Sequence, residues 1–462
     1  MQRVWSMTLA QRGGTFGTAE IACAKSPATP SADVMLKVLA QSELTPLRLI
    51  ALGIQHVLAL FAGTVAVPLI VAGALGMSPA ETAFLVSAAL VAGGVATFIH
   101  TPGFGPVGSR LPFVCGTDFT FVGHAISVGK VYGFSGVLGG AMLASLVEVA
   151  IGLCYRYVKR FFPPLVSGTV VLLIGLTLMP VSVDWAAGGA GAADYGAPRN
   201  LLLALFVLAV ILLISAYARG FLQRVAVLLG FLAGYVVALP LGWVDLSVID
   251  NARWVAIPWP LTIKPTFHLA AALPFAIAYM VTSIETAGQV FALAEVCGEK
   301  ADESQVRGGI LADAVASGLA GLLNALPTNA FSQNIGLVKL TGVVDRSVAA
   351  TAGALCVVLG LCPKLGAVVA VMPRPVLGGA GLVMFGMVAV AGIDMLRRVE
   401  LGTREMLVLA VSLAIGMAIA VRPEILSKLP QTLATALGSP ITAGALAAFV
   451  LNALLGTRER SD

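Results

Sequence analysis

Six ionisable side chains lie inside otherwise apolar stretches of the chain: His56, Asp118, His124, Glu148, Glu285 and Asp313. In a lipid interior such a group costs about 2.5–3.5 kcal/mol at a helix centre, so one that persists holds a partner, a ligand or a proton. Glu285 is followed one helical turn later by Gln289, which puts a carboxylate and an amide on one helix face. A second polar group is the island Asn329-Ala330-Phe331-Ser332-Gln333-Asn334, which runs on through Ile335-Gly336 to Thr341-Gly342. A carboxylate accepts two N–H groups, and a Gln amide donates and accepts in one plane. Together they suit the edge of a flat heterocycle carrying adjacent N–H and C=O groups.

The elements that must position these residues follow from composition. Of 462 residues, 58% are hydrophobic and 11% charged. A soluble chain carries about 25% charged residues. Only a polytopic membrane protein accommodates this excess, and the 51 glycines suit close helix packing in lipid. The net charge of +5 comes from basic residues at span ends, which gives no surface for nucleic acid. The six cysteines have no CxxC spacing and are read as small packing residues. No His/Cys/Asp group has metal-ligand spacing and no Ser–His pair stands out, so an intramembrane enzyme is not expected.

Apolar runs begin near 49, 80, 110, 134, 164, 200, 223, 267, 308, 331, 348, 375, 404 and 437, about fourteen segments. Those starting at Gly308 and Phe331 are short for a bilayer that needs ~20 helical residues. Residues 1–45 are polar, lack a signal-peptide core and are expected to be a disordered cytoplasmic tail. With both termini inside, twelve basic loop residues fall on the inner side against eight outside, in the sense of the positive-inside rule. The polar gap 244–266 divides the spans seven and seven. An odd number per half forces the halves into opposite orientation, as in inverted-repeat transporters. The third span of each half is the interrupted one: Pro112–Phe121, with Asp118-Phe119, and Asn329–Gly336.

Packing readings stand beside the functional ones. A lone acid in a membrane can simply bridge two helices, which is the preferred reading for Glu148; for His124 a local hydrogen bond is preferred. His56, after Gln55, either orients a neighbour or touches substrate. Asn is a good N-cap, so Gln333-Asn334 can open a half-helix. That helix start would also offer free N–H groups and a partial positive charge to a ligand. Phe119 and Phe331 could sandwich a ring.

The run Gln333-Asn334-Ile335-Gly336-Leu337-Val338-Lys339-Leu340-Thr341-Gly342 resembles the signature of the nucleobase–ascorbate transporters, Q/E/P-N-x-G-x-x-x-x-T followed by R, K or G. Gln55-His56, the Ile-Glu-Thr-Ala-Gly setting of Glu285, Gly309-Ile310-Leu311-Ala312-Asp313 and Pro375-Val376-Leu377-Gly378-Gly379-Ala380 are also similar. The likeness runs from Pro46 to Leu455. It implies fourteen spans in two inverted repeats. The core domain comprises 46–155 and 267–372, the gate domain 156–243 and 373–455. An extracytoplasmic loop at 244–266 joins them, and 456–462 is a cytoplasmic tail. It implies a proton-coupled importer of the bacterial inner membrane, often a homodimer, with the proton as coupling ion and no other cofactor or metal.

By the same resemblance, Glu285 and Gln333 are the main ligands and Phe119 stacks. Ser332 and Phe331 offer backbone groups, and Asp313, Asn334, His56 and Gln289 support the site or its proton linkage. Gln at the first motif position is similar to xanthine and urate transporters, so a purine base is expected. A uracil symporter is the alternative, and an anion transporter of the same architecture a more distant one. Asp118 stands where purine members usually have a small or hydroxyl residue. A carboxylate there could take another ring N–H or add a proton site.

Overall fold

The computed structural model describes residues 45–158, 164–430, 433–434 and 437–455. The expected tails 1–45 and 456–462 lie outside these, apart from Thr45. That residue caps the first helix, its side chain accepting from Arg48 N.

Helix α1 (Pro46–Ala74) and helix α2 (Pro79–His100) each begin with proline behind a hydroxyl cap, where the missing N–H is no loss. Ser78 and Glu81 complete a capping box at the start of α2. Strand β1 (Cys115–Thr117) follows, then a single 3-10 turn, Phe119–Phe121, and helix α3 (Val122–Leu153). At Gly133, with φ 67°, α3 breaks into two spans; the left-handed region that the kink requires is open to glycine. The first half closes with α4 (Pro164–Ala186), α5 (Pro198–Tyr217) and α6 (Ala226–Ala238).

A short helix α7 (Leu246–Asn251) lies in the connection between halves. The second half runs α8 (Leu269–Cys297), α9 (Glu303–Leu322), strand β2 (Thr328–Ala330), α10 (Ser332–Thr341), α11 (Arg346–Gly360), α12 (Pro363–Ala370), α13 (Arg374–Leu396), α14 (Thr403–Val421) and α15 (Pro440–Leu454). Among the described residues eight helices are long and apolar enough to cross a membrane alone, and α11 with α12 forms a pair bent by 78°. With α3 divided at Gly133, and with α6, α9, α15 and the β2–α10 segment, the chain is an integral membrane protein of fourteen segments in two inverted halves.

The third and tenth segments begin as strand rather than helix, and each strand is the other's partner. β1 and β2 pair antiparallel, Cys115 opposite Ala330, Gly116 opposite Asn329 and Thr117 opposite Thr328. Flanking bonds lengthen the ladder: Phe331 N donates to Val114 O (2.9 Å) and Asp118 N to Pro327 O (3.2 Å). A two-stranded ribbon leaves its outward groups unpaired, which is costly away from water. Side chains of the surrounding helices take them up. Thr97 Oγ1 accepts from Cys115 N (2.9 Å), and Thr101 Oγ1 donates to Phe113 O (3.2 Å). Ser317 Oγ accepts from Thr328 N (3.2 Å) and donates to Thr328 O (3.0 Å). The helices also come close because small residues line the contact. A Cβ on Gly93 of α2 would lie 2.8 Å from Cys115 O. The α4–α13 seam is built the same way, Gly175 against Ala389 and Gly378 against Ala186.

Ser317 serves both backbone groups of Thr328. Ser317→Ala is therefore expected to lower stability by ~1–3 kcal/mol, whereas Ser427→Ala in an exposed loop leaves it unchanged. Melting of the purified protein in detergent compares the two.

Candidate functional site

Three elements meet at the strand pair: the 3-10 turn after β1, helix α8 and the start of α10 behind β2. Glu285 of α8 is half-buried, with Oε1 accepting from Gln289 Nε2 at 3.1 Å. The expected shared face of these two residues is thus a direct contact. Ser332 and Gln333 are exposed at the head of α10. Asp118 and Phe119 are half-buried on the opposing segment, and the Phe119 ring meets Phe385 of α13 edge-on at 5.6 Å.

Asn334 is buried and lies inside the first turn of α10 rather than capping it. The cap position falls to Phe331, which makes no side-chain cap bond. The extended strand continues to Phe331 and the helix begins directly at Ser332, earlier than a cap at Asn334 would place it, with Ser332 and Gln333 in its first turn. The Asn334 amide turns instead to α1. Its Nδ2 lies 2.9 Å from His56 Nδ1 and donates to the His56 carbonyl at 3.3 Å. A carbonyl can only accept, so it fixes the amide nitrogen on this side and makes His56 Nδ1 an acceptor. His56 is therefore a neutral imidazole that orients Asn334.

Phe331 departs from the expected sandwich. Its ring is wedged between Gly63 of α1 and Gly116 of β1 and is buried. Its backbone N–H is bonded to Val114 O and its carbonyl accepts from Asn334 N, so neither is a free backbone group for a ligand. Asp118 is also committed. Oδ1 accepts from Thr120 N at 2.7 Å and caps the 3-10 turn, while Oδ2 accepts from Asn329 Nδ2 at 2.8 Å. The carboxylate that departs from the usual residue type fastens one strand to the other.

Asp313 of α9 is buried and bonded on both oxygens, to His100 Nε2 of α2 (2.9 Å) and to Thr286 Oγ1 of α8 (2.5 Å). Neither His100 nor Thr286 stood out in the sequence. His100 is the last residue of an apolar run, where a histidine reads as an end residue, and Thr286 is a common type in a helix. Nor did the sequence disclose that His100, Cys115 and Asp313 have donor atoms within 4.8 Å of one another, all buried. The His100 and Asp313 atoms in this group are already bonded to each other. Glu148 is fully buried and accepts from Thr282 Oγ1 (3.0 Å) and Ser283 Oγ (3.4 Å) of α8, an interhelical bridge of the kind expected. His124 Nδ1 lies 2.8 Å from Thr120 O, a local bond.

A cavity of about 470 Å³ lies elsewhere, between the start of α2, α7 and α12, and contains none of these residues. The arrangement comprises a half-buried carboxylate on α8 and an exposed amide at the head of α10, on two helices in contact. It can hold a flat polar molecule by its edge; it contains no nucleophile–base pair for covalent chemistry among the described residues.

A family model described as Permease family, Xan_ur_permease, matches residues 47–425. A xanthine permease of Bacillus subtilis is 38% identical over 405 residues, 87% of this chain and 92% of that protein. The uric acid permease PucK of the same organism is 38% identical over 415 residues, covering 89% and 96%. The transmembrane domain of a cyanobacterial bicarbonate transporter, BicA, superposes with a TM-score of 0.57 at 17% identity, covering 88% of this chain and 98% of that one. That likeness is one of fold.

The His56–Asn334 contact yields a coupling measurement. His56→Phe strands a buried amide and is expected to cost ~1–3 kcal/mol. Asn334→Leu added to it costs little more, so melting of the two single variants and the double variant gives a non-additive cycle.

Proposed function

This chain belongs to the nucleobase–ascorbate transporter family of permeases, and we propose that it imports a purine base, xanthine or urate, together with protons by alternating access. What supports this reading is an exposed Gln333 at the head of α10, a helix that packs against α8, which carries the half-buried Glu285. A purine edge offers neighbouring N–H and C=O groups, which a carboxylate and a planar amide match. The start of α10 adds N–H donors and a partial positive charge toward a ring oxygen. Phe119 supplies the stacking face, and Ser332 lines the entrance. Asn334 and His56 hold the first turn of α10 in place, and Gln289 holds the Glu285 carboxylate.

Transport in this reading is a movement of a core, 46–155 with 267–372, against a gate, 156–243 with 373–455, across the extracytoplasmic connection 244–266. The strand pair belongs wholly to the core, so the ligand travels with it. Asp313 is the acid assigned to the proton linkage. The protein sits in a bacterial-type inner membrane with both termini in the cytoplasm, pairs with a second copy, and uses no cofactor beyond the coupling proton.

Uptake of labelled xanthine, urate and uracil, in cells lacking their own transporters, tests the reading. Saturable purine uptake that a protonophore abolishes is expected. Uracil uptake with no competition from either purine would move the substrate to pyrimidines. Base uptake indifferent to pH and protonophore would remove the symport. Inorganic-anion transport without base transport would favour the anion alternative. Gln333→Glu is expected to reduce purine uptake about tenfold, the loss of one directed hydrogen bond, at normal membrane abundance; unchanged uptake would show that the side chain does not touch substrate.

A further inference from the structure

A continuous line of hydrogen-bonding groups runs from α2 to the turn that carries Phe119. His100 Nε2 meets Asp313 Oδ1 at 2.9 Å, and Thr286 Oγ1 reaches Asp313 Oδ2 at 2.5 Å and Asn329 Oδ1 at 3.0 Å. Asn329 Nδ2 then donates to Asp118 Oδ2 at 2.8 Å. All members but Asp118 are buried. The orientation of the Asn329 amide is set by the backbone, because Ala330 N donates to Oδ1 at 2.8 Å and so marks that atom as the oxygen.

Thr286 therefore stands between two acceptors with one proton to give. When Asp313 is ionised, the charged oxygen takes it, since hydrogen bonds to an ion are roughly twice as strong as neutral ones. Asn329 Oδ1 then keeps only the Ala330 N–H. When Asp313 is protonated, His100 still occupies Oδ1, which puts the acid proton on Oδ2, facing Thr286. The acid then donates to the Thr286 oxygen, and the Thr286 hydroxyl turns to Asn329. One proton on α9 thus becomes one additional hydrogen bond on β2.

We infer that Thr286 is a positioning residue that relays the protonation of Asp313 to the β1–β2 pair, and through Asn329 and Asp118 to the turn carrying Phe119. This rests on the symporter reading above. It assigns a role to a residue beside the proposed ligand Glu285 whose own side chain points into the network, away from that ligand set. No other hydroxyl bridges Asp313 to a strand residue among the described hydrogen bonds. The titratable groups around Asp313 are His100 and Cys115, whose donor atoms cluster with it, and Asp118, Glu148, Glu285 and Tyr279, each of which feels its charge. None of those four bonds to Thr286, so the relay is separable from the general electrostatics of the site.

The test uses the full-length protein in proteoliposomes and measures binding of labelled xanthine and urate from pH 5.5 to 8.5. For the wild type, affinity should change by about tenfold per pH unit over part of that range, as one linked proton requires. Thr286→Val keeps the shape and deletes the hydroxyl. It should still bind, with the pH dependence reduced to about twofold over the whole range, a coupling loss rather than an affinity loss. Thr286→Ser should restore the wild-type profile. A wild-type profile in Thr286→Val overturns the relay while leaving symport intact. A flat profile in the wild type overturns the symporter reading itself. If Thr286→Val is not monodisperse, Thr286→Cys, with a much weaker donor, is read in the same way.

Discussion

Everything at the centre of this protein depends on two interrupted segments satisfying each other. A bilayer interior supplies no water to an exposed N–H or carbonyl, so a break in a spanning helix is tolerated only where protein groups replace the lost bonds. Here the break in the third segment and the break in the tenth are paired as strands, Cys115–Thr117 with Thr328–Ala330. Thr97, Thr101 and Ser317 then complete the outward edges. Two defects that would each be expensive alone become a rigid ribbon. The ribbon delivers a short helix or turn on each side, so the turn that carries Phe119 and the helix that carries Gln333 both pack against α8.

Charge in the site follows from that constraint. Four acids in the membrane interior, Asp118, Glu148, Glu285 and Asp313, feel one another's charge, and three of them have structural partners. Asp118 is a strap between strands, Glu148 a bridge to Thr282 and Ser283, and Asp313 a neighbour of His100 and Thr286. Glu285 differs. It is half-buried, and among the described residues its carboxylate takes one side-chain hydrogen bond, from the Gln289 amide one turn away. An acid whose lone pairs are largely uncommitted is where a polar ligand would gain most.

Much of this was legible in the chain. The apolar runs, their division by the gap at 244–266 and the interruption of the third segment in each half all appear in the structure, because a bilayer imposes length and hydropathy locally. The Glu285–Gln289 contact was legible for the same reason, being a one-turn relation. Asn334 was misread as a cap. Its identity suited a helix start, but the strand pairing carries the chain one residue past Ala330 in extended form, and the amide is claimed by His56. Phe331 was misread as a stacking ring because the two glycines that receive it, Gly63 and Gly116, lie in other segments.

By itself the sequence determined the solvent, the number of spans, and which few residues carry polar chemistry in lipid. These are one-dimensional properties: a span is a run of apolar residues, and an uncompensated acid is visible against it. The tertiary structure decided which of those residues remain open and which are used up. Whether an acid is a ligand or a strut depends on donors brought from elsewhere, as His100 and Thr286 are brought to Asp313 and Asn329 to Asp118. No local pattern encodes that, because a hydrogen bond is a matter of about 3 Å in space between residues that chain order leaves far apart.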